Sequence, residues 1–233
     1  MCRRPGKLRC VRESEHDVPG IAALGVAAEK KSLHDSQRET PRVKRLRRKF
    51  GQQIKQELRG VVRRLKFIDE MGAHLGLTRL YGRAAPGERV VEATPGYSGT
   101  HYTVLATLGW NSVTAPWVLD GPMNTAAFEI YIAHVLAPTL RVGDIVLLDN
   151  LSAHKAESIR QVVEARGARL EFLPPYSSDF NPIELCWSKV KTALRAAKAR
   201  TLDALLKTLM EALESVSLHD IHAWFAHCGY VLS

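Results

Sequence analysis

Three acidic residues stand where predicted strands end or where a predicted helix begins. Asp69 ends the apolar segment 65–69, and Asp149 ends the apolar segment 144–149. Glu184 falls in the first turn of a long helical pattern opened by Asn181-Pro182, because asparagine suits the N-cap and proline the first helical position. Carboxylates that bind two divalent cations support hydrolysis and transfer of phosphodiesters. The three residues are therefore a candidate triad for two-metal phosphoryl chemistry.

This chemistry predicts the cofactor as well as the residues. Mg²⁺ prefers oxygen ligands and keeps several of its waters, so two or three carboxylates are enough to hold it. Neighbouring strands lie about 4.8 Å apart, so Asp69 and Asp149 can share one ion if their strands are adjacent and level. Glu184 would then flank the second ion. We expect two Mg²⁺ ions, with Mn²⁺ able to replace them.

Two of these acids also have an interpretation that involves no catalysis. Asn181 and Glu184 have the spacing of a capping box, in which the glutamate bonds back to the amide of the N-cap residue. Asp149 and Asn150 are also typical of a turn that follows a strand. The occurrence of all three acids, in order, at the ends of elements of one α/β unit favours the catalytic interpretation.

The choice of the first acid has alternatives too. Asp69 competes with Glu70, because adjacent residues of a strand point to opposite faces and only one can face a given site. Asp120 ends another apolar run before a glycine and so has the same form as the candidate acids.

The positive charge of the chain is concentrated near its N-terminus. The formal net charge is +9, and residues 1–66 hold 19 Lys and Arg against 7 Asp and Glu, a net of +12. Residues 67–233 hold the remaining 14 and 17, a net of −3. This asymmetry favours a polyanionic partner, although a solvated, partly disordered arm has the same composition. We predict a basic arm or linker at residues 1–62 and a catalytic domain at 63–233.

Composition also excludes several classes of protein. No apolar run approaches the roughly 20 residues that a membrane span requires, and we expect no membrane partner. The four cysteines have no CxxC spacing, which argues against a zinc site and for reduced thiols in a cytoplasmic protein.

The apolar patterns predict an α/β fold with a mixed sheet flanked by helices. A basic helix or linker is expected at 41–66, broken near Gly51 and Gly60. Strands are expected at 62–68, 88–93, 101–108, 144–149 and 169–173, with 113–119 as an extension of the third. Helices are expected at 124–140, 154–166, 182–198, 201–216 and 219–227. Segment 144–149 shows no alternation, as a central parallel strand covered on both faces would.

Three segments, 67–70, 147–154 and 173–184, resemble the signature blocks of DDE transposases, and most closely the bacterial insertion-sequence branch of the mariner superfamily. Thirty-four residues separate Asp149 from Glu184, which matches the spacing of that superfamily, and segments 78–89 and 119–124 are similar as well. The resemblance extends over about residues 30–230. It implies a ribonuclease H-like fold with Asp69, Asp149 and Glu184 as the metal-binding triad, and it argues against Asp120.

The chain also departs from the family pattern. Ser178 stands where the family usually has proline, and Phe180 where it usually has leucine. Family members carry helix-turn-helix modules ahead of the catalytic core, which residues 1–29 do not resemble. We therefore expect a catalytic half, with the DNA-binding region truncated.

Several basic residues are candidate contacts to DNA. Lys191 and Arg195 share the helix face of Glu184 and are expected to bind phosphates without reading sequence. His154 lies at the start of the preceding helix. The remaining candidates belong to the basic segment near the N-terminus: Arg45, Arg47, Arg48 and Lys49.

The resemblance implies metal-dependent DNA cleavage and strand transfer of an insertion element, at TA dinucleotides, on the nucleoid of a bacterium. The expected partners are double-stranded DNA, as element ends and target, and further copies of the chain in a dimer or higher assembly. One alternative is a catalytically idle, truncated DNA-binding remnant that modulates related transposases. A weaker one is a stand-alone, structure-selective nuclease.

Overall fold

The computed structural model describes residues 36–85, 87–96, 99–149 and 157–232, apart from the side chains of residues 55 and 59. The expectations for residues 1–35 and for His154 lie outside this range and remain predictions. The described residues belong to one compact unit, Asp35–Ser233.

A five-stranded mixed sheet forms the centre of this unit. Its strands are β1 (Leu65–His74), β2 (His101–Gly109), β3 (Val113–Asp120), β4 (Ile145–Leu148) and β5 (Arg169–Phe172). They lie in the order β3-β2-β1-β4-β5. The strand β2 is antiparallel to both β1 and β3, whereas β4 is parallel to both β1 and β5. The prediction of a mixed sheet is therefore confirmed.

The predicted strand at 88–93 is wrong, because this segment has no regular structure. All six of its residues are exposed, so its apolar side chains have no sheet face to cover. The predicted strand at 62–68 is displaced: β1 continues to His74 because it remains paired with β2 as far as His101. The apolar strand β4 is buried at all four positions between β1 and β5, as predicted.

The helices cover both faces of the sheet. They are α1 (Pro41–Gln53), α2 (Thr125–Ile130), α3 (Glu157–Glu164), α4 (Ile183–Ala197), α5 (Leu202–Glu214) and α6 (Leu218–His227). The helix α2 continues as a π-helical turn, Tyr131–Leu136, and a 3-10 turn, Ala137–Thr139. Asn124 caps α2 by accepting a hydrogen bond from the amide of Ala127 at 2.9 Å.

Two apolar clusters hold these layers together. On one face of the sheet, Phe67 of β1 packs with residues of α4, α5 and α6, among them Trp187 and Phe225. On the other face, the neighbouring Ile68 belongs to a cluster with Phe128 and with residues of α3. Successive residues of β1 therefore serve opposite faces, as strand geometry requires.

The basic segment at 41–64 belongs to the core of the fold as well. The helix α1 runs through Gly51 and is followed by a π-helical turn, Ile54–Leu58, and a 3-10 helix, Arg59–Arg64. Four apolar side chains of this segment are buried in the cluster that also contains residues of α4: Phe50, Ile54, Leu58 and Val62. The predicted boundary between residues 62 and 63 therefore falls inside the compact unit.

Within the part of the chain that the structure describes, no helix combines the length and the apolarity needed to cross a membrane.

Candidate active site

Asp69 lies in the central strand β1, and Asp149 directly follows the neighbouring strand β4. The parallel pairing of β1 with β4 sets Leu65 opposite Ile145 and Phe67 opposite Leu147. Continuing this register by two residues brings Asp69 level with Asp149, which directly follows β4. The two acids therefore belong to neighbouring strands of the sheet, as sharing of one ion would require.

The Asp69 carboxyl group is buried among other acids. Burial is the largest cause that raises the pKa of Asp69, and the negative charge of Glu184 is the next. The charges of Asp149 and Glu70 raise it further, whereas a backbone hydrogen bond lowers it, and the resulting pKa is about 8. Because charge repulsion falls off with distance, these interactions place Glu184 and Asp149 near Asp69.

Glu184 lies in the first turn of α4. Taken over the whole residue, its surface is exposed to solvent. Partial burial of its carboxyl group raises its pKa, the ammonium group of Lys191 lowers it, and the charge of Asp149 raises it again. The capping-box interpretation is wrong, since none of the side chains that the structure describes caps α4, and the amide of Asn181 donates to the carbonyl of Ser178 at 2.9 Å.

The alternation of β1 separates Asp69 from its competitor. Asp69 has the parity of Phe67 and Met71, which pack in the cluster that contains α4. Glu70 has the parity of Ile68, which packs on the opposite face. Asp120, the other alternative, ends the edge strand β3 and is exposed.

The donor atoms at this site suit a hard divalent cation. Burial and nearby negative charges raise the pKa of Asp69 and of Glu184, so a bound cation would stabilise their ionised forms. Oxygen is the ligand atom that Mg²⁺ and Mn²⁺ favour. Among the described residues, however, no group of three or more His, Cys, Asp or Glu side chains is arranged to hold an ion as it stands. Metal binding would therefore require these carboxylates to close around the ion.

The helix α4 carries two of the candidate DNA contacts away from this cluster. Lys191 lies close enough to Glu184 for its charge to act on that carboxylate. Burial and the charges of His101 and Arg195 lower the pKa of His74, which places Arg195 near the end of β1. Arg195 also lines a cavity of about 390 Å³ with Arg79 and Tyr81. Trp187, on the same helix, is 1% exposed and belongs to the core.

The basic residues of α1 divide into two groups. Arg45, Arg48 and Lys49 are exposed and remain candidate contacts to DNA. The side chain of Arg47 is only 14% exposed and pairs with Asp179, in the loop before α4. Sequence reasoning missed this ion pair, because its partners are more than a hundred residues apart and no local pattern links them.

Comparisons with known proteins identify a family for this chain. A family model described as DDE superfamily endonuclease matches residues 64–206, which include all three acids. No curated protein sequence matched the chain.

Several solved structures share the fold. The Mos1 transposase paired-end complex with left transposon end is 18% identical, with a TM-score of 0.68, over 91% of this chain and 69% of that one. The mariner Mos1 paired-end complex with Mg is 18% identical, with a TM-score of 0.64, over 88% of this chain and 66% of that one. The Mos1 transposase catalytic domain with Raltegravir and Mn is 16% identical, with a TM-score of 0.59, over 86% of this chain and 94% of that one. The predicted ribonuclease H-like fold is thereby confirmed.

The chain spans about two thirds of the length of the chains in the paired-end complexes, and nearly the whole of the catalytic domain taken alone.

Proposed function

Because the chain belongs to the DDE superfamily of endonucleases, we propose that it is the catalytic core of a transposase that cuts and joins DNA at the ends of an insertion element. The observation that carries the proposal is the electrostatic coupling of Asp69 with Glu184 and Asp149. These residues are far apart along the chain, and bringing their like charges together costs free energy. A shared role in binding cations would explain why the fold carries this cost.

We assign Asp69, Asp149 and Glu184 as the groups that hold two divalent cations, Mg²⁺ or Mn²⁺. Cations bound there would supply Lewis acids for activating an attacking oxygen and stabilising a leaving oxygen. Asp69, with its pKa of about 8, must first give up a proton to become a ligand. The protein would thus contribute three carboxylates whose mutual repulsion a bound cation relieves.

Lys191 and Arg195 would hold the DNA strand beside the metals. They follow Glu184 by seven and eleven residues on α4, which places them about 10 and 16 Å from it along the helix axis. For a duplex lying parallel to α4, at about 3.4 Å of axis per base pair, those distances would correspond to phosphates about three and five base pairs from the reacting one. Such contacts position the strand and raise its affinity without reading its sequence.

The proposed partners are duplex element ends, a duplex target at TA dinucleotides, and a second or further copy of this chain. The Mos1 complex with a left transposon end supports the first of these by likeness of fold. The proposed setting is the chromosomal DNA of a bacterial cell, as the resemblance to bacterial insertion sequences implies.

The test is nicking of a supercoiled plasmid by the purified chain in Mg²⁺, with Asp149→Asn as the matched inactive variant. We expect metal-dependent nicking by the wild-type protein and none by Asp149→Asn. Equal nicking by both proteins would dismiss the assigned triad. A labelled 3′-hydroxyl end that joins to plasmid DNA would add the strand-transfer step.

A second candidate is a catalytically idle protein that binds DNA and modulates related transposases. The exposed basic residues of α1 favour it, because they suit DNA binding without chemistry. This candidate predicts DNA binding without Mg²⁺-dependent nicking, so the same experiment separates the two.

A further inference from the structure

The loop before α4 is held by an arginine from the other end of the chain. Arg47 of α1 donates two hydrogen bonds to the Asp179 carboxylate, from Nη1 to Oδ1 at 2.9 Å and from Nη2 to Oδ2 at 2.6 Å. Its Nη1 also donates to the Ser177 hydroxyl at 2.6 Å and to the carbonyl of Tyr176 at 3.2 Å. A bidentate ion pair of this kind fixes the relative orientation of the guanidinium and the carboxylate as well as their distance.

Other contacts fix the same loop. The Arg47 guanidinium lies 4.8 Å from the centre of the Phe180 ring. The centres of the Phe50 and Phe180 rings are 5.4 Å apart. The Tyr230 hydroxyl donates to the carbonyl of Phe180 at 2.8 Å. Arg38 adds a second cation at 3.2 Å from the Asp179 carboxylate.

The ion pair stays charged over a wide range of pH. Burial alone would raise the pKa of Asp179, but the hydrogen bond and charge of Arg47 and the charge of Arg38 outweigh it and hold the pKa below its usual value. Asp179 is therefore ionised and able to pair with Arg47 at neutral pH.

The start of α4 depends on this loop because it lacks a cap of its own. No side chain caps the helix, and the side-chain oxygen of Asn181 is buried without a hydrogen-bond partner in the described part of the chain. Instead, two consecutive turns connect the Arg47–Asp179 pair to α4. The amide of Asn181 donates to the carbonyl of Ser178, and the amide of Glu184 donates to the carbonyl of Asn181 at 3.2 Å. A shift of Asp179 would travel through these turns to Glu184.

We propose that Arg47 and Asp179 are a positioning pair that sets the position of Glu184. Arg47 would then act on the metal site, through the loop before α4, and would not contact DNA. The inference rests on the proposed function, because it gives Glu184 a metal to position for. The basic segment around Arg47 predicts a DNA contact for this residue, and the inference replaces that role with a positioning role.

The test measures Mn²⁺ binding by the full chain, from the loss of the free-ion signal in electron paramagnetic resonance. The variants are Arg47→Ala, Asp179→Ala and the double variant, with the milder Arg47→Lys in case alanine unfolds the protein. Arg42→Ala is the matched control, because Arg42 is exposed on the same helix. Melting temperature and DNA affinity are recorded for each protein.

We expect both single alanine variants to bind Mn²⁺ about tenfold more weakly, as is typical when a residue that orients a ligand is removed. The double variant should lose no more than either single variant, because the two residues act as one unit. Arg47→Lys should recover part of the affinity, since lysine keeps the charge but not the bidentate geometry. Arg42→Ala should match the wild type.

Two results would overturn the inference. If Arg47→Ala weakens DNA binding and leaves Mn²⁺ affinity unchanged, Arg47 is a DNA contact. If the variants melt earlier but bind Mn²⁺ normally well below their melting temperature, the pair only stabilises the fold. A wild-type protein that binds no Mn²⁺, or an Asp149→Asn variant that nicks DNA, would instead remove the proposed function itself.

Discussion

The carboxyl group of Asp69, on a central strand, lies near enough to the Glu184 carboxylate, at the start of a helix, for their charges to repel. The repulsion adds to the cost of burying Asp69, and together they raise its pKa to about 8. At neutral pH the folded protein therefore keeps a proton on Asp69 that an unfolded chain would release. This energetic cost at the centre of the sheet can be measured without any assay of activity.

Replacing Asp69 by asparagine should stabilise the metal-free protein. Between pH 4 and 8 the folded state binds more protons than the unfolded state, so the stability contributed by Asp69 falls as pH rises through this window. In EDTA we expect Asp69→Asn to raise the free energy of unfolding at pH 8 by at least about 1 kcal/mol, or about 2–4 °C in melting temperature. At pH 5 the gain should be much smaller.

The control for this measurement is Asp120→Asn, which changes an exposed acid at the end of the edge strand. It should alter stability little at either pH. Added Mg²⁺ should raise the melting temperature of the wild type and not that of Asp69→Asn. A gain from Asp69→Asn that does not depend on pH would contradict the assigned titration.

The affinity for divalent cations should rise with pH. A carboxylate binds a cation only after it has lost its proton, and the pKa values of Asp69 and Glu184 are both raised. We expect the apparent Mn²⁺ affinity to increase by about tenfold per pH unit between pH 6 and 8 and to level off above about pH 8.

Glu184→Gln provides an internal check on that profile. It removes the charge that most raises the Asp69 pKa after burial, so the remaining rise should end at a lower pH. An affinity that is independent of pH in the wild type would contradict the prediction. Calorimetry in two buffers of different ionisation enthalpy would count the protons released.

Removing the charge of Lys191 should change how DNA binding depends on salt. Each phosphate contact contributes about 0.9 to the slope of log affinity against log salt concentration. Lys191→Gln should therefore reduce that slope by about 1, for any DNA sequence. Lys207→Gln is the control, because its side chain is 79% exposed on α5. Equal slopes for both variants would remove Lys191 from the DNA interface.

Two truncations should test where the folded unit begins. Removal of residues 1–34 leaves Asp35–Ser233 intact, and we expect a cooperative melt close to that of the full chain. Removal of residues 1–62 deletes Phe50, Ile54, Leu58 and Val62, which are at most 6% exposed. Burial of one such side chain is worth about 1.5–3 kcal/mol, so the total approaches the whole stability of a domain.

We therefore expect the shorter product to lose its near-ultraviolet circular dichroism and its cooperative transition. A folded, cooperative protein of residues 63–233 would show that α1 is dispensable and would return the boundary to the position that charge alone suggested.

Much of the fold follows from local patterns in the sequence. The unbroken apolar run at 145–148 is enough to predict a strand buried on both faces, and Asn124 predicts its helix cap, because both depend on a few consecutive residues. The segment at 88–93 has only two valines between charged residues and pairs with no strand of the described sheet, so a strand predicted there from local pattern does not form.

The sequence by itself determined which acids stand at the ends of elements and how they are spaced along the chain. Only the tertiary structure decided that β1 pairs with β4 in a register that sets Asp69 level with Asp149, and that Arg47 faces Asp179 instead of solvent. The reason is physical: hydrogen bonds within a turn or a cap act between near neighbours, whereas strand register and ion pairing depend on which distant surfaces pack together to bury apolar area.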